Sequence, residues 1–116
     1  MFVWKDEASG VWHVRATGGS GFGRYIGEVV ASQAFSSVTG VSLEGNDVLD
    51  TTDPLRIAFD MRMWSPWEDG FDFRVPAGAQ VSLNLQSAAG ANPVEVIRVG
   101  AERWPVQQLP VDISGW

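Results

Sequence analysis

Nine consecutive residues, Leu55 to Met63 (LRIAFDMRM), set apolar side chains at Leu55, Ile57, Phe59, Met61 and Met63 and place Arg56, Ala58, Asp60 and Arg62 between them. Successive side chains of an extended chain point to opposite sides. A period of two over this length therefore reads as a strand with one buried face. The same alternation, carried one step further, puts Trp64 on the polar side with Asp60 and Arg62. A segment that must bury one face needs a second layer to bury it against, so this run alone points to a packed β structure.

The rest of the chain repeats the pattern. In VWHVRA, Trp12, Val14 and Ala16 oppose Val11, His13 and Arg15. In FDFRV, Phe71, Phe73 and Val75 alternate with Asp72 and Arg74, and in VSLNL, Val81, Leu83 and Leu85 alternate with Ser82 and Asn84. Further strands are predicted at Arg24 to Ala31, Val38 to Leu43, Val94 to Val99 and Gln108 to Ile113, the last interrupted by Pro110 and suited to an edge. GEVVASQAF (27–35) reads as a strand leaving into a loop. TGGSGFG (17–23), EGND (44–47), WEDG (67–70), PAGA (76–79) and SAAGANP (87–93) supply turn residues between the runs. The expectation is one all-β domain over residues 1–116. It is an antiparallel, jelly-roll-like β-sandwich of about eight strands, with a small closed β-barrel as the alternative because both give the same alternation.

Charge narrows the partners. Eight basic residues against fourteen acidic ones leave a net charge of −6, and Lys5 is the only lysine. Phosphate contacts need a basic patch, so nucleic acid is not an expected partner. No apolar run approaches the length of a membrane span, and no membrane partner is expected. There is no cysteine, which removes disulfides and thiolate chemistry. MFVWKDEASG lacks the basic and apolar regions of a signal peptide. The localisation stays open, extracellular if the domain belongs to a larger secreted protein.

Chemistry-bearing residues are few. His13 is the sole histidine, so no multi-histidine metal site can form. TGGSGFG fits neither phosphate-loop pattern and reads as a hairpin loop. Glu28 and Glu95, inside apolar strands, are the carboxylates most worth inspecting as acids or bases. The loops 43–53, with Glu44, Asn46, Asp47, Asp50 and Asp53, and 68–72, with Glu68, Asp69 and Asp72, are rich enough in oxygen ligands to raise calcium. Neither has the EF-hand spacing, and Asp and Asn are ordinary turn formers. No other cofactor is expected.

The six tryptophans are many for 116 residues. Trp12 shares the face of Val14 and belongs to the core. Trp64 falls on the polar side, and Trp67 follows three residues on at the entry to a turn. Grouped indoles outside the core mark a contact surface. If 55–64 and 71–75 pair as a hairpin, Asp60, Arg62, Asp72 and Arg74 lie on one face beside them. The candidate binding residues are therefore Trp64, Trp67, Asp60, Arg62, Asp72 and Arg74.

All-β rhythm, absent cysteine, acidic charge and surplus tryptophan make the chain similar in kind to β-sandwich carbohydrate-binding modules. That likeness is one of composition and architecture, with no diagnostic motif. It implies a non-catalytic module that stacks Trp64 and Trp67 on the sugar rings of an oligosaccharide or polysaccharide, with the four charged residues as a polar rim. Two other functions fit the same residues. One is a protein-interaction or homo-oligomeric β domain using the indoles as anchors. The other is a small β-barrel cyclase or isomerase whose tryptophans line an interior cavity.

Overall fold

A computed structural model describes residues 1–17, 22–43, 45–64, 68–90, 95–98, 102–105 and 111–112, with backbone alone at Thr17, Phe22, Trp64, 87–90 and from residue 95 onward. Alternation becomes strand wherever it was strongest. The elements are β1 (Phe2–Lys5), β2 (Trp12–Thr17), β3 (Phe22–Ala31), β4 (Ser37–Val41), β5 (Val48–Asp50), β6 (Arg56–Trp64), β7 (Glu68–Arg74), β8 (Val81–Gly90), β9 (Glu95–Arg98), β10 (Glu102–Pro105) and β11 (Val111–Asp112). They form two sheets. Sheet A runs β10-β9-β1-β2-β7-β4 and sheet B runs β11-β8-β3-β6-β5. Pairing is antiparallel except between β1 and β9. The expected sandwich forms, and the closed barrel does not. Three short strands that alternation cannot mark, β1, β5 and β10, bring the number to eleven among the described residues.

The core lies between the sheets. Val3, Trp12, Val14, Phe71 and Phe73 come from sheet A and Tyr25, Val29, Ile57, Phe59, Met61 and Leu83 from sheet B. Burying a side chain of this size stabilises by roughly 1.5–3 kcal/mol, so the inner faces carry the fold. Leu55 departs from the expected face. It precedes β6 in a turn where its N–H is bonded to Asp53 Oδ1, and it is 43% exposed.

A bulge interrupts β3–β8 pairing between Ile26 and Gly27, where the register jumps from Ser87 to Leu85. Gly27 is required there. A Cβ would stand 2.4 Å from Asn84 O and 2.9 Å from Leu85 Cα.

Three local expectations need correction. Residues 55–64 and 71–75 do not form a hairpin: β6 pairs with β3 and β5 in sheet B, and β7 pairs with β2 and β4 in sheet A. Glu68 to Gly70 of WEDG are strand, with Asp69 fully buried and its Oδ1 accepting the Gly70 N–H. Residues 87–90 of SAAGANP also continue a strand, because the bulge lets β8 follow β3 to its start.

Candidate functional site

Sheet A brings β1, β2 and β7 side by side, which places Trp4, His13 and Asp72 in one row. Val3, Val14 and Phe71, their alternates, face the core, so this row faces solvent. Arg15 stands one step along β2 on the same side, opposite Gly70. The missing side chain at Gly70 lets Arg15 lie flat across the sheet, because a Cβ there would come within 3.0 Å of Arg15 Cδ.

Arg15 ties the face together. Its Nη1 donates to Val14 O at 2.9 Å and Phe71 O at 3.1 Å, and lies 2.7 Å from Asp72 Oδ1. Nε is 3.4 Å from Glu68 Oε1. The same Asp72 oxygen is 2.9 Å from His13 Nδ1. An ionised carboxylate only accepts, so Nδ1 is the protonated nitrogen of that ring. Burial pushes the Asp72 carboxyl up, but hydrogen bonds from Arg15 and His13 outweigh it and hold it below its ordinary value. Trp4 completes the cluster. Its indole stacks on His13 with centroids 4.9 Å apart and planes inclined by 26°, and the Arg15 guanidinium carbon is 5.7 Å from the ring centroid. Cations at that range are attracted to an indole.

The opposite face of the molecule, on sheet B, is built differently. Arg24 grips Asp60 with two bonds, Nε–Oδ1 at 3.1 Å and Nη2–Oδ2 at 2.9 Å, and holds the Asp60 carboxyl below its ordinary value. Arg56 meets Glu28 at 3.0 Å, with Asn84 Nδ2 3.5 Å from the other Glu28 oxygen. Arg62 reaches Asp47 at 4.0 Å, while Asp47 also accepts the Arg62 backbone N–H. The first two are diagonal pairs of opposite charge across β3 and β6, and the third joins β6 to the residue before β5, with no aromatic ring among the described side chains. A depression of about 300 Å³ lies between them over Ala58, flanked by Ile26 and Val48.

No protein-family model, curated protein or solved structure matches this chain. The site therefore stands on its chemistry.

The expected set of six is divided. Asp72 and Arg74 belong to sheet A, and Asp60 and Arg62 belong to sheet B, so no surface unites them. Arg74 Nη2 donates to Ser9 O and anchors the β1–β2 turn. Trp67 and the Trp64 side chain lie outside the described residues, as do Glu44 and the Glu95 side chain. In the acidic loops, Asp50 accepts Thr52 N and Oγ1 and Asp53 accepts Leu55 N, the turn-forming use of these residues. Among the described residues no three His, Asp or Glu side chains converge as a metal-ligand group.

Trp4, His13 and Arg15 are what sequence reasoning passed over as a group. The alternation in VWHVRA already put His13 and Arg15 on one side. What it could not show is that β1, four residues long, lays Trp4 beside them.

Proposed function

We propose that the chain is a non-catalytic glycan-binding module whose platform is the outer face of sheet A, centred on Trp4 and His13. The observation that carries this reading is the Trp4–His13 stack, set among Arg15, Asp72 and Glu68 on an open sheet face. A pyranose offers a flat C–H surface to such a stack and hydroxyls to the groups around it. The cluster has two carboxylates against one guanidinium, which favours hydroxyl donors of a neutral sugar over an anionic one. Preorganisation supports the reading too, because Arg15 and His13 are already held by Asp72 and lose little freedom on binding.

Calorimetric titration with a panel of neutral oligosaccharides, together with co-sedimentation on insoluble polysaccharides, tests it. Saturable binding that is lost in Trp4→Ala, and kept in Asp60→Asn on the opposite face, is the expected result. Binding that survives Trp4→Ala and disappears in Trp64→Ala or Trp67→Ala would move the platform to those indoles. No binding to either class of glycan would overturn the function.

A further inference from the structure

A pocket lies at one end of the sandwich, away from the outer faces. It has a volume of about 410 Å³ and lies between the Asp6–Gly10 turn and the Pro76–Ala79 turn. Both turns are held by backbone hydrogen bonds: Asp6 N–Val11 O at 2.8 Å and Gly10 N–Asp6 O at 2.7 Å in the first, and Ala79 N–Pro76 O at 3.1 Å in the second. Gly10 and Gly78 have φ of 73° and 85°, a backbone that favours glycine. The walls are mixed: Val75, Pro76, Ala77 and Ala79 supply apolar surface over the buried Trp12 and Val81, and Lys5, Gln80 and the glycine backbone supply polar surface.

One charge enters this pocket. Lys5 is opposite Trp12 in the β1–β2 register, and its ammonium is 5.8 Å from the Trp12 ring centroid. Five described arginines, 15, 24, 56, 62 and 74, are committed: the first four to carboxylates and Arg74 to the Ser9 carbonyl. Lys5 is the described side-chain cation without such a partner. Of the acids on the adjoining turn, Asp6 accepts the Ala8 N–H and Glu7 is exposed. In a chain of net charge −6, the only lysine thus lines this pocket.

We infer that this pocket binds a small aromatic monocarboxylate, with the carboxylate on Lys5 and the ring against Val75, Pro76 and Ala79. A single ammonium matches a single negative charge. The surrounding acidity of the protein disfavours multiply charged anions such as phosphates. The pocket volume is within the range of small-molecule sites, and Lys5 is the one charged group in its lining. The inference is independent of glycan binding on sheet A, which uses other residues.

Nuclear magnetic resonance titration of the full chain with sodium benzoate, at constant ionic strength, reads the site directly. Saturable shifts are expected at the Gly10, Gly78 and Gln80 amides and the Trp12 indole N–H. Benzamide, the neutral isostere, should bind about ten-fold more weakly, the loss of one charge-assisted hydrogen bond. Lys5→Met should weaken benzoate to the level of benzamide, and Lys5→Arg should retain it. Absent or non-saturable benzoate shifts, equal affinity for benzamide, or shifts mapping elsewhere would overturn the proposal and leave Lys5 as a cover for the end of the core. The benzoate–benzamide comparison on the unaltered chain decides this even if a Lys5 variant does not fold.

Discussion

Asp72 on sheet A and Asp60 on sheet B are equally exposed, 27% of each side chain, and each sits mid-strand on an outer face bonded to an arginine. Their partners differ. Arg15 is 12% exposed, rests over Gly70 and donates to two backbone carbonyls, whereas Arg24 is 43% exposed and holds Asp60 alone. A pair between exposed groups gains little, because water and salt screen it and two flexible side chains must be ordered. A carboxylate that shares a largely covered guanidinium with a histidine and an indole belongs to a network whose members restrain one another. Equal exposure of the acid therefore conceals two roles: a solvated charge ladder on sheet B and a built cluster on sheet A.

The most severe challenge to this contrast is Gly70→Ala. Its Cβ would meet Val14 O at 2.0 Å, a backbone atom that cannot yield cheaply, as well as Arg15 Cδ. Destabilisation of about 3 kcal/mol is expected in urea unfolding, at the upper end of overpacking costs. A loss below about 1 kcal/mol would mean that Arg15 does not need the flat path over Gly70.

Replacing the acids separates the faces next. Asp72→Asn should cost about 1–2 kcal/mol, because Arg15 and His13 both lose a charged acceptor on a partly covered surface. Asp60→Asn should leave the unfolding midpoint close to that of the parent. Equal losses would erase the distinction between ladder and cluster.

Acid unfolding sharpens it further. Asp72 and Asp60 both titrate below their ordinary value in the folded chain, Asp72 because the bonds from Arg15 and His13 outweigh its burial, Asp60 chiefly because of the bond from Arg24. A depressed carboxyl contributes stability that is complete above its unfolded pKa of about 3.9 and is lost as pH falls through the folded value. Asp72→Asn should accordingly show a shallower loss of stability than the parent below about pH 4. An unchanged slope would mean that the Asp72 bonds are not kept in solution.

The smallest effect concerns salt. Raising sodium chloride from about 0.05 to 1 M shortens the screening length from above 10 Å to about 3 Å. Double-mutant coupling between Arg24 and Asp60 should vanish across that range, while coupling between Arg15 and Asp72 persists in part. Loss of both together would place the two arginines in the same class.

Much of the architecture was legible in the chain. Ile57, Phe59, Met61 and Met63 fall on the buried side that their alternation marks, as do Phe71, Phe73, Val81 and Leu83. The misreading at 67–70 has a clear source, since Glu, Asp and Gly are turn formers by local preference. Here Asp69 is buried and Gly70 is crossed by Arg15, both consequences of neighbours distant in sequence. The site was only partly legible. Asp72 and Arg74 were placed on the outer side of their strand, yet joined to Asp60 and Arg62 by a hairpin that the chain does not make.

Side-chain alternation is a property of each strand alone, so the residues by themselves determined an all-β chain, its inner faces and the polar sides left outward. Which strand lies beside which is decided by packing two sheets over one shared core, and no local pattern encodes it. That choice sent β6 and β7 to different sheets, set Trp4 next to His13 and put the only lysine at the open end of the core.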